Sequence, residues 1–337
     1  GGTGVLPAVA EPSAGARIEP DIIEEAPAAE RRRDLPVIQD PKVFDAYQQG
    51  VALAGKIFAA SPGIEKGMIQ AAEQLIDAFV RFLEQDESQL LRLFYQDYFS
   101  AQKYLHQHSV NVMVLSLRLG LSLHYNHERL HQLGLAALFH DIGLVKYTDL
   151  INQPRRFNDA DYQEIKKHPV AGKELLKPFI QEFHAEVFDV IGQEHERVDG
   201  SGYPYGLPGN EIIDSAKLVG LVDTYEAMQH SRPYREKLGC LESVKQILAA
   251  KDAFEYKFLK ALIDTAGVFP LTTQVKLNTR EIGIVMRQNT QMPLRPVIQM
   301  THNSQGQPLE EPKQIDLGAN FSVYILDCFA ESKIRRS

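Results

Sequence analysis

The residues best suited to chemistry are an adjacent pair, His140 and Asp141, in the run AALFHDIG. An imidazole beside a carboxylate offers the donors that a divalent metal of hard or borderline character prefers. Further along the chain, residues 199–204 read DGSGYP, a glycine-rich turn that presents an aromatic ring. Together the two motifs predict a metal-assisted hydrolase that holds a nucleotide against this turn.

Further histidines and an aspartate extend the pair into a candidate ligand set. The set comprises His108, His140, Asp141, His168, His195 and Asp223. Each member lies on or at the end of a predicted helix, and a helical bundle can point such side chains toward one centre. Imidazoles and carboxylates without thiolates favour iron, manganese, zinc or nickel over copper(I). A shared Asp141 would bridge two metals with a hydroxide between them, a nucleophile suited to phosphodiesters.

The composition of the chain limits what it can be. With 337 residues, 44% of them hydrophobic, it can bury a large core in two or three domains. A net charge of −8 argues against broad nucleic-acid binding, so no DNA partner is expected. Two cysteines cannot form a disulfide framework, which predicts a cytoplasmic location. We expect no membrane span, and the Gly-Gly start without Met suggests a trimmed sequence.

Hydrophobic periodicity predicts a mainly α fold that ends in a small β appendage. Residues 1–40 are rich in Ala, Pro and Glu, which is typical of a disordered tail or linker. Residues 41–100 have apolar residues at helical spacing and predict an N-terminal helical region. Residues 101–273 form the predicted helical metal-dependent domain, and residues 274–337 the β-rich extension.

Individual elements follow from the same spacing. The clearest predicted helices cover 108–123, 130–139, 161–167, 170–183 and 215–228, and the predicted strands cover 281–287, 295–300 and 321–327. Asn158 or Asp159 is expected to cap a helix that ends at His168, because Pro169 disfavours helical geometry in the residue before it.

The order of these motifs resembles the HD-GYP family, the bacterial cyclic di-GMP phosphodiesterases within the HD superfamily. The resemblance rests on the runs HSVNV (residues 108–112), AALFHDIG, KKHPVAGKELL, HERVDGSGYPYGLPG, LVGLVDTYEAM and SRPYR, in the stretch from residue 100 to residue 330. It implies an HD-superfamily helical bundle and a role in bacterial signalling. The implied reaction is hydrolysis of cyclic di-GMP to pGpG or GMP through a metal-bridging hydroxide.

The resemblance also implies the roles of single residues. His140 and Asp141 would be the catalytic pair. One metal would be held by His108, His140, Asp141 and Asp223, and a second by Asp141, His168 and His195. The substrate would be bound by Gly202, Tyr203, Pro204, Arg232 and Arg235. Tyr203 would lie beside a guanine and the arginines would hold phosphate. The expected cofactors are two divalent metal ions, iron or manganese first, with zinc or nickel as alternatives.

Three positions depart from the family pattern. Leu144 replaces the lysine of HDIGK, and Lys146 would face about 200° further round a continuing α-helix. Glu194 replaces the first of two paired histidines, and Tyr104 stands where three-metal members carry a glutamate, so we expect two metals. Glu194 either binds metal, as a third carboxylate that favours manganese or iron(II) and slows the chemistry, or points away and leaves one metal weakly bound.

The sequence leaves functions of different classes open. The full ligand set and the Gly-Tyr-Pro turn favour a working phosphodiesterase. Leu144 and Glu194 favour a catalytically weak or inactive cyclic-dinucleotide sensor that relays ligand occupancy to a partner. A weaker third option is hydrolysis of another phosphorylated metabolite.

Partners and the remaining polar residues complete the expectations. Besides cyclic di-GMP, we consider a signalling partner of the diguanylate cyclase type. We also consider a homodimer formed through the N-terminal helices, although a stripe that faces the chain's own core explains their apolar residues better. His127 and His131 have the spacing of a metal chelate, but their polar surroundings predict solvated side chains. Glu196 and Arg197 are expected either to be catalytic or to form a salt bridge that fixes the His195 helix.

Overall fold

A computed structural model describes residues 40–61, 63–95, 104–151, 153, 155, 157–230, 238, 240–289 and 291–329. Within these residues a helical bundle is followed by a five-stranded antiparallel sheet. This arrangement confirms the predicted mainly α fold with a small C-terminal β appendage. The predicted N-terminal tail lies outside the described residues, apart from Asp40.

The helices are numbered here in chain order. They are α1 (Pro41–Ala60), α2 (Lys66–Phe94), α3 (Tyr104–Ser122), α4 (His127–Phe139), α5 (Thr148–Ile151), α6 (Asp159–Ile165), α7 (His168–Leu176), α8 (Ala185–Gln193), α9 (Asp214–Gln229), α10 (Cys240–Ala249) and α11 (Tyr256–Ala266). Short 3₁₀ turns cover Ile142–Tyr147, Lys177–Phe179 and Lys251–Ala253. None of the described helices is long and apolar enough to cross a membrane.

The N-terminal helices belong to the same hydrophobic core as the rest of the bundle. Asp40 caps α1 by accepting a hydrogen bond from the backbone of Lys42, and Pro41 fits the first turn. The apolar stripe of α2, which includes Ile69, Ile76 and Phe79, is buried against α1, α3 and α4. This stripe therefore faces the chain's own core, as the preferred interpretation predicted.

Helix α3 runs through the middle of the bundle. Every residue from 107 to 117 is buried, and a helix buried on all sides needs neighbours all round it. Helices α1, α2, α4, α9 and α11 pack against it, and α8 packs against α4, α7 and α9. The polar members of α3, such as His108 and Asn111, are consequently held in the interior.

The junction of α6 and α7 corrects one prediction. Asn158 caps α6 through a reciprocal capping box with Asp161, as expected. The helix ends at Ile165, however, and His168 begins the next helix instead of ending this one. Pro169 is compatible with this position because a proline in the first helical turn has no intrahelical hydrogen bond to lose.

The predicted helix 170–183 is also wrong at its end. Helix α7 stops at Leu176 and a 3₁₀ turn follows at Lys177–Phe179. Pro178 cannot donate the hydrogen bond that a continuing α-helix requires at that position.

The C-terminal sheet consists of antiparallel neighbours in the order β4-β3-β2-β1-β5. Its strands are β1 (Gln274–Leu277), β2 (Ile282–Arg287), β3 (Val297–His302), β4 (Pro308–Asp316) and β5 (Ile325–Phe329). Val275, Leu277, Val285 and Ile298 face the core. The predicted strand 321–327 begins only at residue 325, while β1 and β4 were not predicted.

Candidate metal centre

The predicted ligands converge at the centre of the helical bundle. His108 lies on α3 and Asp223 on α9, while His140 and Asp141 directly follow α4. His168 begins α7, and Glu194 with His195 directly follows α8. Their ligand atoms form two groups, each with all atoms within 4.8 Å of one another. The first group is His108, His140 and Asp223, and the second is Asp141, His168, Glu194 and His195.

Asp141 lies between the two groups. Its Oδ1 is 3.2 Å from Nε2 of His168, which belongs to the second group. Its Oδ2 is 3.5 Å from Nε2 of His108 and 3.4 Å from Nε2 of His140, which belong to the first. The two oxygens of one carboxylate therefore face different groups of imidazoles, which is the geometry of a carboxylate that two cations can share.

Glu194 also points into the centre. Its side chain is fully buried, with Oε1 3.7 Å from Nε2 of His168 and 3.9 Å from Nε2 of His195. The other oxygen, Oε2, is 3.8 Å from Nε2 of His140. The sequence left open whether Glu194 points toward the centre or away from it. In the structure its carboxylate faces the centre and lies near imidazoles of both groups.

The third carboxylate of the centre is Asp223. Its Oδ1 lies 3.1 Å from Nε2 of His108, and its Oδ2 lies 3.9 Å from Nδ1 of His195. Three acidic side chains thus surround the imidazoles, an oxygen-rich donor set for a cation of hard or borderline character.

Backbone carbonyls orient two of the imidazoles. Nδ1 of His140 lies 2.7 Å from the carbonyl oxygen of Ala137, and Nδ1 of His168 lies 2.8 Å from that of Ile165. A carbonyl only accepts, so each Nδ1 carries the proton and donates it. In the neutral rings, the lone pair of each Nε2 is then directed into the centre.

A buried carboxylate orients the third imidazole. Nδ1 of His108 lies 2.5 Å from Oε2 of Glu226, which is fully buried on α9. The other oxygen of Glu226 accepts a hydrogen bond from Nδ2 of Asn111 at 2.9 Å and lies 3.0 Å from Nδ1 of His230. An outer carboxylate that holds the far nitrogen of a histidine is a common support for metal ligands.

Sequence reasoning missed Glu226. The residue stands three positions after Asp223 in the run LVDTYEAM, so both side chains lie on one face of α9. That spacing is the signal that would have identified it, together with the need of His108 for an acceptor at its second nitrogen.

The unpaired atoms of the centre test whether a cation fits. Nε2 of His108, Nε2 of His140 and both oxygens of Glu194 are buried without a hydrogen-bond partner among the described residues. Buried polar atoms are normally paired, so such a cluster requires an explanation. Nε2 of His168 also faces Nε2 of His195 at a distance of 3.1 Å. Divalent cations bound between these side chains would satisfy all of these atoms. The residues present therefore fit a metal centre.

The pKa values follow from burial and from the neighbouring charges. Burial alone would lower the pKa of His140, but the carboxylates of Glu194 and Asp141 raise it to about 9. Burial likewise opposes protonation of His168, yet the carboxylates of Asp141 and Glu194, 3.2 and 3.7 Å from its Nε2, raise its pKa to about 10. When no cation is present, protonated imidazoles balance the carboxylates, and a bound metal would replace those protons.

His195 is the exception among the imidazoles. Burial lowers its pKa to about 3, and the positive charge of the neighbouring His168 contributes. A histidine that stays neutral at physiological pH keeps a lone pair for a metal without having to release a proton first.

Gly143 brings two parts of the centre together. A Cβ at this position would lie 2.0 Å from the carbonyl oxygen of His168 and 2.7 Å from the backbone nitrogen of Gly172. Only glycine lets the turn after Asp141 press against the first turn of α7. The glycine of the HDIG run therefore sets the distance between Asp141 and His168.

Glu196 fixes the Gly-Tyr-Pro loop. Its buried carboxylate accepts hydrogen bonds from the backbone nitrogens of Tyr205, Gly206 and Leu207 at 2.7, 3.2 and 2.9 Å. Arg197 instead donates to the carbonyl oxygens of Glu194 and Glu196. The expected Glu196–Arg197 salt bridge is therefore wrong: the carboxylate holds the loop that follows it.

The loop places Tyr203 over the second group of ligands. Its ring stacks on that of His195 with centroids 4.6 Å apart and planes 19° from parallel. Nζ of Lys166 lies 5.5 Å from the centre of the same ring. Gly202 allows this approach, because a Cβ there would lie 2.4 Å from the backbone nitrogen of Arg197.

A cavity of about 640 Å³ opens beside this tyrosine. Its lining includes Tyr203 and Pro204 together with Lys146, Lys166 and Lys167. Lys146 reaches the cavity because Ile142–Tyr147 is a 3₁₀ turn, whereas its predicted orientation assumed a continuing α-helix.

Two of the departures from the family pattern have a structural setting. The ring of Tyr104 stacks on that of His108, one turn further along α3, with centroids 5.7 Å apart. An aromatic ring therefore lies beside His108 at the position where three-metal members of the family carry a carboxylate. Leu144 is partly exposed at the 3₁₀ turn. The predicted phosphate-binding residues Arg232 and Arg235 lie outside the described residues.

Comparison with protein families decides where this bundle belongs. An HD domain matches residues 83–256, and a KOW domain associated with the HD domain matches residues 274–337. The chain belongs to the HD domain family. Together with its curated relatives among the cyclic di-GMP phosphodiesterases, this match confirms the predicted HD-GYP membership.

Curated relatives resemble this HD-GYP chain over part of their length. The cyclic di-GMP phosphodiesterase PA4108 of Pseudomonas aeruginosa is 28% identical over 220 residues, 65% of this chain and 53% of that protein. The 3'3'-cGAMP-specific phosphodiesterase 1 of Vibrio cholerae is 33% identical over 137 residues, 40% of this chain and 31% of that protein. The chain thus spans about half the length of the first relative.

A solved structure shares the fold. Bd1817, an HDG"Y"P protein from Bdellovibrio bacteriovorus, superposes with a TM-score of 0.57 at 19% sequence identity. The match covers 69% of this chain and 74% of that chain. At this identity the likeness bears on the fold alone.

Proposed function

We propose that this HD-GYP protein is a metal-dependent phosphodiesterase that hydrolyses cyclic di-GMP. The observation that carries the proposal is the single carboxylate of Asp141 lying between two groups of imidazoles. Relatives named for cyclic di-GMP and for 3'3'-cGAMP support a cyclic dinucleotide as the substrate class.

Two divalent metal ions are the proposed cofactors. One would be held by His108, His140 and Asp223, the other by His168, Glu194 and His195, with Asp141 shared between them. Three carboxylates favour manganese or iron(II), with zinc and nickel as alternatives. Bound in this way, the ions would supply an activated water as the nucleophile and a positive charge for the phosphate.

The chain's own side chains would hold the substrate beside this centre. Tyr203 is partly exposed and lines the cavity, so the part of its ring that is not stacked on His195 offers a surface for a guanine base. Lys146 and Lys166 border the same cavity, and neither has an ion-pair partner among the described residues. Their ammonium groups are therefore available for phosphate, while Arg232 and Arg235 stay predicted contributors.

The reaction would open one phosphodiester of the cyclic dinucleotide and give linear pGpG. A second cut at the remaining phosphodiester would give GMP. Glu196 takes part indirectly, because its three hydrogen bonds keep the Gly-Tyr-Pro loop in contact with the centre.

A second candidate function is a cyclic-dinucleotide sensor with weak or no turnover. The observation that favours it is the fully buried carboxylate of Glu194, which faces both groups of imidazoles. A third negative charge would reduce the acidity of metal-bound water and slow attack on the phosphate. Leu144 adds to this, because it supplies no charge to the leaving oxygen.

The test loads the purified protein with manganese or iron(II) under anaerobic, reducing conditions. Cyclic di-GMP and 3'3'-cGAMP are then incubated separately with it, and the products are followed by chromatography. We expect metal-dependent pGpG or GMP from cyclic di-GMP, and none from the His140→Ala/Asp141→Ala variant. The matched control, His124→Asn/Asp149→Ala, changes the same residue types at exposed positions and should keep the activity.

Other outcomes separate the candidates. Faster hydrolysis of 3'3'-cGAMP would overturn the choice of substrate, and tight binding without product would favour the sensor. No binding of either dinucleotide would contradict both functions. In Leu144→Lys, the rate should rise at unchanged metal content if the missing charge limits turnover.

A further inference from the structure

A second cluster of metal-ligating side chains lies away from the principal centre. Asp77 on α2 faces His127 and His131 on α4, and one ligand atom from each lies within 4.8 Å of the others. Residues 131 and 140 are separated by about 13 Å along the chain of α4 and its cap. Helix α4 therefore carries the two histidines of the cluster and leads into His140 of the principal centre, but the two sites have no residue in common.

Both histidines present the same nitrogen to the same oxygen. Nε2 of His127 lies 3.0 Å and Nε2 of His131 lies 2.6 Å from Oδ1 of Asp77. A tetrahedral zinc ion with bonds of about 2.0–2.2 Å separates neighbouring ligand atoms by about 3.3 Å. Each of the two distances to Asp77 would therefore change by less than about 1 Å on coordination.

The prediction that both histidines are solvated is confirmed for His127 and wrong for His131, which is partly buried. His127 is exposed over 71% of its side chain, but His131 is exposed over 21% and Asp77 over 33%. The residue that completes the cluster comes from another helix, 50 positions before His127, so spacing within α4 did not reveal it.

Charge and open space around the cluster suit a hydrated cation. Asp77 and His127 line a groove of about 190 Å³ that has room for water. Arg81 and Glu84 also line the groove, so a cation there would meet one charge of each sign besides its ligands. The hydrogen bond from His131 lowers the pKa of Asp77, which keeps the carboxylate ionised.

We propose that Asp77, His127 and His131 form an exposed divalent-cation site of the zinc, nickel or cobalt class that ties α2 to α4. Two imidazoles for each carboxylate make this set richer in nitrogen than the principal centre, which favours zinc, nickel and cobalt over manganese or magnesium. Histidines at positions i and i+4 of a helix present their nitrogens on one face, the spacing used in helical zinc sites.

A cation at this site is expected to stabilise the packing of α2 against α4 and to take no part in catalysis. α2 carries Asp77, whereas α4 carries the two histidines and leads directly into His140. A cation held between the helices binds only the folded arrangement and therefore stabilises it.

The test weakens the principal centre, so that metal binding by the second cluster is easier to distinguish. Full-length protein with His140→Ala/Asp141→Ala is titrated with Zn²⁺ and, separately, with Ni²⁺ by calorimetry. Adding His127→Ala/His131→Ala should abolish one equivalent of bound ion. His124→Asn removes a neighbouring exposed imidazole, and it should leave the stoichiometry unchanged because asparagine tolerates the positive φ of 59° at that position.

A second measurement guards against loss of folding. Asp77→Asn keeps an oxygen that can accept hydrogen bonds but removes the charge, and it should weaken binding while the circular dichroism spectrum stays unchanged. Zn²⁺ should raise the melting temperature of the protein with intact Asp77, His127 and His131 more than that of either cluster variant. Equal stoichiometry and equal thermal shifts with and without the two histidines would overturn the proposal, whatever the outcome for cyclic di-GMP.

Discussion

Glu226 and His108 form a buried pair in which Oε2 of the carboxylate lies 2.5 Å from Nδ1 of the imidazole. The contact fixes the ring so that Nε2 faces Asp141 and Asp223. Burial would raise the pKa of Glu226, but the charges of His230 and His108 hold it well below the ordinary value. The carboxylate therefore stays ionised and can support His108 as a metal ligand.

Glu226→Gln should weaken metal binding without removing a ligand. The amide keeps a hydrogen-bond acceptor but loses the charge that raises the basicity of His108, and changes of such outer partners typically cost about 10–100-fold in metal affinity. The affinity is measured by competition with a chelator, and the metal content by elemental analysis after dialysis.

Glu186→Gln is the matched control, since that carboxylate accepts a hydrogen bond from Ser215 and is not one of the residues grouped at the centre. It should bind metal as the unaltered protein does. Equal affinities for the two variants would show that the carboxylate does not act through His108.

Tyr47→Phe tests whether α1 supports the centre. The hydroxyl of Tyr47 donates to Oδ1 of Asn111 at 2.7 Å, and Nδ2 of Asn111 donates to Glu226. The phenylalanine would leave a buried acceptor unpaired, so the free energy of unfolding should fall by about 1–3 kcal/mol. Denaturant unfolding measures this loss.

Tyr256→Phe provides the comparison, because that tyrosine is 75% exposed. Its free energy of unfolding should change by less than about 0.5 kcal/mol. If Tyr47→Phe lowers the free energy of unfolding by no more than this, the hydrogen bond between α1 and α3 contributes little to stability.

The members of the candidate centre could be named from the sequence because their residue types and motif order are visible in it. His140 and Asp141 are adjacent, and the resemblance supplied the order of the remaining donors. The outer support could not be predicted in this way, since His108 meets Glu226 across 118 positions of the chain. Contacts between distant segments depend on how helices pack, which periodicity alone does not determine.

The fold was predictable where burial leaves a pattern. Strands β2 and β3 carry apolar residues that face the core, and both were predicted within two residues at each end. Strand β4 is almost wholly exposed, so it shows no alternation of apolar and polar residues. Strand β4 is recognised by its pairing with β3, and that pairing cannot be read from a single sequence.

Gly143→Ala should disrupt the centre through the backbone. The added methyl group would lie 2.0 Å from the carbonyl oxygen of His168, so α7 or the turn after Asp141 must move. We expect loss of metal from the second group of ligands and a lower melting temperature. Elemental analysis and thermal unfolding measure both.

Gly67→Ala is the natural comparison, because a Cβ there has nothing within 4 Å and lies in α2. It should keep its metal and gain about 0.4–1 kcal/mol in the free energy of unfolding. Normal metal content in Gly143→Ala would contradict the role assigned to the glycine of the HDIG run.

Lys146→Ala and Lys166→Ala should each weaken binding of the dinucleotide rather than the chemical step. Both ammonium groups border the cavity beside Tyr203 and are exposed, so each is expected to contribute about 0.2–1 kcal/mol, a change in KM of less than about sixfold. The effect should shrink as salt is raised, because exposed charges are screened.

Lys260→Ala serves as the control, since that exposed lysine pairs with Asp264 and neither residue lines the cavity. Its KM should match that of the unaltered protein. A lower kcat at unchanged KM in Lys146→Ala or Lys166→Ala would show that the lysine acts in the chemical step instead.

Metal uptake should depend strongly on pH because protons and cations compete for the same nitrogens. The pKa of His140 is about 9 and that of His168 about 10 when no cation is bound, above the ordinary value of 6.5. At pH 7 both rings carry a proton that the metal must displace. Raising the pH through 9 and toward 10 progressively weakens this competition, so the affinity should rise with pH. Calorimetry in buffers of different ionisation enthalpy counts the released protons, which should be more numerous at pH 7 than at pH 10, and equal release at both values would contradict the assignment.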